Sequence, residues 1–441
     1  MLGLSGKEFR LCDGTSRRNF LQLGSLGIAG LSLSDLLKLR SEASAAGKPL
    51  KKTSVIFLEL AGGPTQFETY DPKPLAPMEY RGEFGVTQTV QAGVQFCELM
   101  GRQATVMDKL AIVRSIAHDS NSHDPSSHLT QTGYYKKGPK GGPAQMPCIG
   151  SVAARLRGAN VSGIPPYVSI PHIMRNGGPA YLGKGFRPFE TNGDPNKKDF
   201  EVRNLTLTAG LEQSRLDQRR QLLASLDESR RVLGTNQIAE SMDEFTRQAF
   251  EMVTGDRARS AFDLDQETEV TRDRYGRTTF GQSMLLARRL VEAGVTFVSV
   301  RVGGWDDHNK IVSSMKAKGP AFDHGVAALV HDIYERGLDQ DVLIVAMGEF
   351  GRTPRVNANA GRDHWGAVMS VLLSGGGLAV GQVIGASNGK GEIPTRNSYR
   401  PENVLAMVYR HLGIDPKTTF DDRSGRPRYL LETSEVMEEL L

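Results

Sequence analysis

Cysteine is scarce in this chain: three in 441 residues, at Cys12, Cys97 and Cys148. None has the spacing of a thiolate metal site, so zinc-finger and iron–sulfur chemistry are excluded. Cys97 and Cys148 are free to pair if the chain reaches an oxidising compartment. Long apolar runs are missing as well. The weakly apolar stretch Leu21–Leu33 is interrupted by Gly and Ser and is shorter than the roughly 18–20 residues of a membrane span. No large excess of charge of either sign is present. Lys and Arg total 54 against 50 Asp and Glu, for a net +4, which argues against nucleic acid or an anionic membrane surface as partner. What remains is an ordinary globular composition, 39% hydrophobic and 24% charged, with length for a large core. Gly is abundant, at 49 residues, and implies many turns.

The first 45 residues stand apart. Ser16–Leu21 reads SRRNFL, the weakly apolar run follows, and Ala43-Ser44-Ala45 supplies small residues for cleavage. In that order they form a twin-arginine export signal. The expectation is recognition by the twin-arginine export machinery, removal of residues 1–45, and a folded protein delivered to the periplasm or cell envelope, or secreted. A mature protein that begins at Met1 would end this reading. The leader carries six Lys/Arg and four Asp/Glu, so the remainder is near +2.

Beyond it, one α/β domain is expected over residues 50–441. Strands are predicted at Thr53–Leu60, Leu110–Ile116, Tyr167–Ile170, Val295–Val302, Val342–Met347 and Ala367–Leu373. Helices are predicted at Phe280–Glu292, Asp323–Arg336 and Pro401–Leu412. Strands alternating with helices imply a doubly wound, mainly parallel sheet with helices on both faces. Residues about 205–262 interrupt the alternation. Leu216, Leu223, Leu226 and Leu233, then Ile238, Met242, Phe245, Ala249 and Met252, fall at helical spacing. They predict an inserted antiparallel helical pair.

Six of the nine histidines, His118, His123, His128, His172, His308 and His364, fall just past a predicted strand's carboxyl end or in the loop that follows. Ligands bind at that edge of an open parallel sheet. Loops are polar in general, and that bland explanation covers one or two of the six. Imidazole and carboxylate without thiolate suit Zn²⁺, Mn²⁺ or Fe, with Ca²⁺ or Mg²⁺ where carboxylates dominate. Asp306 and His308, two apart, are able to reach one ion. Asp363 and His364 are not both able to face one point in a strand, so one is a ligand and the other its support. Glu349 is a ligand or a base. Arg352 suits a tetrahedral oxyanion. Together these parts suit metal-assisted hydrolysis of an oxyacid ester.

The segments Gly62–Pro74 (GGPTQFETYDPKP), Gly303–His308 (GGWDDH), Phe322–Gly325 (FDHG), Gly348–Pro354 (GEFGRTP) and Gly361–Trp365 (GRDHW), with the leader, resemble the exported family called domain of unknown function 1501. That family is similar to the alkaline phosphatase and sulfatase superfamily, and the resemblance implies an alkaline-phosphatase-like fold and a bimetal site. Pro125-Ser126 and Thr132-Gly133 match the spacing around the superfamily's nucleophile. The nucleophile position itself falls on His123, with Ser122 beside it as a substitute. His364 resembles the last metal histidine, and Asp306 with His308 an earlier ligand pair. Asp71 or Glu68 stands in for a missing first-strand aspartate. Glu349-Phe350-Gly351 replaces Asp-His-Gly, which removes one imidazole. The implied site is therefore His123, Ser122 and Glu349 for chemistry, and Asp306, His308, His364, Asp363 and Asp71 for a divalent metal. Arg352, Asn121, His128 and His118 are left for a small-molecule or glycan ester substrate. Three readings follow: an exported metal-dependent hydrolase of sulfate or phosphate esters, a non-catalytic envelope or periplasmic protein binding a glycan or anion, and a phosphohistidine transferase at His123.

Overall fold

The structure, a computed structural model, describes residues 52–138, 141–202 and 256–441. Eight strands form the main sheet: β1 (Ser54–Leu60), β2 (Ala111–Ile116), β3 (Tyr167–Ile170), β4 (Phe189–Glu190), β5 (Phe297–Val302), β6 (Val342–Met347), β7 (Met369–Gly375) and β8 (Gln382–Ile384). Their order across the sheet is β8-β2-β7-β6-β1-β5-β3-β4. β1 lies inside the sheet, parallel to both neighbours, with Val55 opposite Phe297 and Leu343. Every residue of β1 and of β6 is buried, as parallel strands covered on both faces require.

Alternate residues supply the two faces. Ile56, Leu58 and Leu60 join a core with α3 (Thr279–Ala293) and α4 (Ile311–Glu335). Phe57, Phe297 and Tyr167 stack on the other side, where Gly150 of α2 (Ile149–Arg157) presses on Tyr167 and Phe297. α5 (Pro401–Leu412) also contacts β1. The doubly wound arrangement expected from the sequence is present.

One strand departs from the parallel rule. β7 runs antiparallel to both β2 and β6. Residues 348–368 hold no helix to carry the chain back across the sheet. The chain therefore re-enters at the edge it left, and β7 runs in reverse. This keeps the whole 348–368 loop on the carboxyl edge.

The predicted strands agree with the structure to within two residues at each end. α4 starts twelve residues earlier than the expected helix at 323 and runs through Pro320. Cys97 and Cys148 do not pair; both are buried thiols. Burial pushes the Cys97 thiol up to about 12, while Cys148 caps α2. The leader and nearly all of the expected 205–262 insertion lie outside the described residues; Asp256–Phe262 is a helix. Residues 419–428 belong to a separate compact unit. Among the described residues, no helix is long and apolar enough to cross a membrane.

Candidate metal centre and adjoining cavity

The loop after β5 is anchored from below. Trp305 is fully buried and packs edge-on against Phe322 of α4 at 5.1 Å. Its neighbour Asp306 is thereby held at the surface with a carboxylate turned along the sheet edge. The turn after β1 closes against it. At Gly62, with φ of +118°, a Cβ would lie 2.5 Å from the Asp306 nitrogen, so only glycine lets the two turns meet. Gly361 is pressed likewise against the His308 backbone, with 2.1 Å from a built Cβ to the carbonyl carbon.

Three imidazoles converge on Asp306. His364 Nε2 and His308 Nε2 each lie 3.0 Å from Oδ1, and His123 Nε2 lies 3.2 Å from Oδ2. The His308 and His364 Nε2 atoms are themselves 3.0 Å apart. His123, Asp306 and His364 offer ligand atoms all within 4.8 Å of one another. They come from the first residue of α1 (His123–Thr132), the loop after β5 and the loop after β6.

Each ring is fixed from behind through Nδ1. His364 Nδ1 donates to the Asn121 carbonyl at 2.9 Å. His308 Nδ1 faces Asp363 Oδ1 at 2.7 Å. His123 Nδ1 faces Glu349 Oε1 at 2.6 Å, and both Glu349 oxygens accept the Gly62 N–H. A neutral imidazole carries one proton. With that proton on Nδ1 in each ring, three Nε2 lone pairs point at one carboxylate. Burial lowers the His364 pKa and keeps it neutral. Burial opposes charge on Asp306, but the hydrogen bond and charge of Arg352 prevail and hold its carboxyl well below the usual range. The Glu349 hydrogen bond raises the His123 pKa against burial. Lone pairs facing a carboxylate repel unless a cation or a proton stands between them. Three imidazoles and one carboxylate fit a borderline divalent ion such as Zn²⁺ or Mn²⁺ better than oxygen-seeking Ca²⁺ or Mg²⁺.

Several expected roles are corrected. Arg352 is fully buried, so its guanidinium is out of a substrate's reach. It bonds the carbonyls of Gly63, Arg362 and Trp305 at 2.9 Å each, that of Gly62, and Asp306 Oδ1 at 2.6 Å. Its task is to clamp the turns and charge Asp306. His118 is buried, with Nε2 on the Glu349 carbonyl and Nδ1 accepting from Ser120. His128 is buried in α1 and ties Tyr134, Gln145 and Met146. Neither imidazole lines the cavity. Asp71 is buried among Lys73, Ser387 and Arg114, and Glu68 is gripped by buried Arg362 at 2.8 Å. Neither joins the cluster. Glu349 and Asp363 orient imidazoles and do not reach the convergence point. Of the pair weighed together, His364 faces the cluster and Asp363 supports His308. His172 is exposed beside Asn192.

Beside the cluster opens a cavity of about 690 Å³ whose lining includes Asn121, Ser122, His123, Asp124, Arg175, Asn176 and His364. Among the described residues the Ser122 hydroxyl has no partner. Arg175 and Asn176 were not anticipated. They follow β3, so the strand-end rule that singled out the histidines covers them too.

Three solved structures are similar in chain course. Ps i-CgsB in complex with k-i-k-neocarrahexaose matches at 11% identity and a TM-score of 0.40, over 82% of this chain and 72% of that one. The alkaline phosphatase of the Antarctic bacterium TAB5 matches at 10% identity and 0.37, over 83% and 99%. The PsFucS1 sulfatase from Pseudoalteromonas sp. matches at 11% identity and 0.38, over 87% and 71%. No curated protein matches the sequence. One family model spans residues 52–441, that of the proteins of unknown function DUF1501, and the chain belongs to this family.

Proposed function

We propose that the protein is an exported, metal-dependent hydrolase of sulfate or phosphate esters. The observation that supports this most is the set of three Nε2 lone pairs and one ionised carboxylate meeting beside an open cavity. His308 and His364, with Asp306 and His123, would hold one divalent ion. When bound, such an ion supplies Lewis-acid stabilisation of charge on an ester oxygen. Glu349, Asp363 and the Asn121 carbonyl keep the rings in the tautomer that ligation needs. A proton on His123 Nε2 competes for the same place, so ion uptake releases a proton and strengthens as pH rises. The twin-arginine leader supports export to the periplasm or envelope.

Metal analysis of the purified protein, followed by assay on sulfate and phosphate monoesters, tests the reading. About one equivalent of Zn²⁺ or Mn²⁺, lost in Asp306→Asn together with turnover, is expected. Protein that stays metal-free and inert after folding with Zn²⁺, Mn²⁺, Mg²⁺ and Ca²⁺ would sink it.

A second reading, a non-catalytic pocket for an anion or glycan, is favoured by one feature. The position where a hydroxyl nucleophile is expected holds His123, and both its ring nitrogens are engaged. Water is then the attacking group in a hydrolase, unless Ser122 serves. Ser122→Ala separates the cases. Unchanged turnover points to water, lost turnover to Ser122, and no turnover in either protein to a binding pocket.

A further inference from the structure

Among the described residues, Arg175 is the only arginine lining the cavity. Its side chain is exposed, and among the described residues its guanidinium makes no hydrogen bond and no close ion pair. An exposed arginine is usually loose, but this one stands on a fixed base. Its backbone N–H donates to Oε1 of buried Glu59, at the end of β1, at 3.1 Å. The next residue, Asn176, donates through Nδ2 to the Asp124 carbonyl at 3.0 Å and to Ser127 Oγ at 2.9 Å. Arg175 is thus tied on one side to the centre of the sheet. On the other it is tied to the first turn of α1, the helix that carries His123.

The charge around it is unbalanced. Among the described residues Asp124 is the one carboxylate on the cavity wall, and the ammonium of Lys136 neutralises it at 2.9–3.0 Å. Asp124 also accepts from Gly141. Among the described residues Arg175 makes no ion pair on the cavity wall, and buried Glu59 acts on it only through space. Among the described residues no aliphatic or carbocyclic aromatic side chain lines the cavity, so none of them favours a hydrophobic ligand. A volume of about 690 Å³ exceeds what a bare oxyanion fills.

We infer that Arg175 is the oxyanion-binding residue of this cavity, and that its ligand is a sulfate or phosphate ester of a polar alcohol. The planar guanidinium fork matches two oxygens of a tetrahedral oxyanion. Arg175 takes the role that Arg352, fully committed inside, is unable to fill. The hydrolytic fate of the ester rests on the function proposed above; its recognition by Arg175 does not.

Titration calorimetry with inorganic sulfate and inorganic phosphate at low ionic strength tests this. The full-length protein should bind at least one of them. Arg175→Gln should weaken that binding about tenfold or more, as expected for loss of a charge-assisted pair. Arg175→Lys should fall between, keeping charge and losing the fork. Metal content and thermal midpoint should be unchanged in both variants. If the protein binds neither anion, or Arg175→Gln binds as tightly as the parent, the inference fails while the metal reading stands. If the protein holds no metal yet shows Arg175-dependent binding, the hydrolase reading fails and this one stands. Loss of metal together with anion in Arg175→Gln overturns the separate role assigned to Arg175.

Discussion

Asp363 and Arg352 show how much of this site is support. Asp363 is exposed and touches His308 from behind, with Asn357 on its second oxygen at 3.3 Å. The His308 hydrogen bond lowers its pKa. Removing such a partner typically costs about 10–100-fold in metal affinity. Asp363→Asn should therefore weaken Zn²⁺ or Mn²⁺ binding by that order without unfolding the protein. An unchanged affinity in a competition titration would remove Asp363 from the site. Arg352 differs in kind. Arg352→Met would strand the buried carbonyls it binds and the Asp306 charge. A loss of about 3–5 kcal/mol is expected in denaturant unfolding. A loss below about 1 kcal/mol would mean that the clamp carries little.

At the scale of the element, β1 ends in a charge that its burial opposes. Glu59 is buried, and desolvation, partly offset by Arg301 at 3.4 Å, pushes its pKa up to about 8 from 4.5. The folded state then holds a proton that the unfolded chain has already released. Between about pH 4.5 and 8 stability falls as pH rises, by up to several kcal/mol at about 1.4 kcal/mol per pH unit. Glu59→Gln keeps the acceptor for the Arg175 N–H and removes the titration. Across pH 5 to 8 its stability should lose the downward contribution of Glu59, so that its slope lies above that of the parent. Parallel slopes for the two proteins would exclude Glu59 as the source. The same strand shows how legible elements are. The strands SVIFLEL and VLIVAM are buried throughout, and their apolar stretches, VIFL and VLIVAM, announce such strands without knowledge of their neighbours. The reversal of β7 was less legible. Its direction depends on what residues 348–368 do between strands, and no periodicity encodes that.

Across the whole molecule, the cluster joins α1 to the loops after β5 and β6, which are far apart in the chain. An ion there would bind the folded state and not the unfolded one. At a free concentration a hundredfold above Kd it would add about 2.7 kcal/mol to stability. The thermal midpoint should rise with added Zn²⁺ or Mn²⁺ and fall with chelator, and Asp306→Asn should respond to neither. Equal shifts in both proteins would place the ion elsewhere. About half of the candidate site could be read in advance. His123, Asp306, His308 and His364 follow from counting polar groups past strand ends, as does the division of labour between Asp363 and His364. The same count also admitted His118, His128, Asp71 and Arg352. It passed over Arg175.

The sequence alone determined the α/β class, six of the eight strands of the main sheet, the family, and the edge of the sheet where chemistry belongs. These rest on local apolar runs, on periodicity and on short motifs, which a chain carries at every point. Only the tertiary structure decided which side chains on that edge face one another. Arg352 turns inward because four carbonyls from distant turns are within its reach, whereas Arg175 stays outside because Glu59 and Asn176 hold its backbone and leave its guanidinium unclaimed. That choice belongs to hydrogen bonds between residues up to 290 positions apart, and spacing along the chain does not record it.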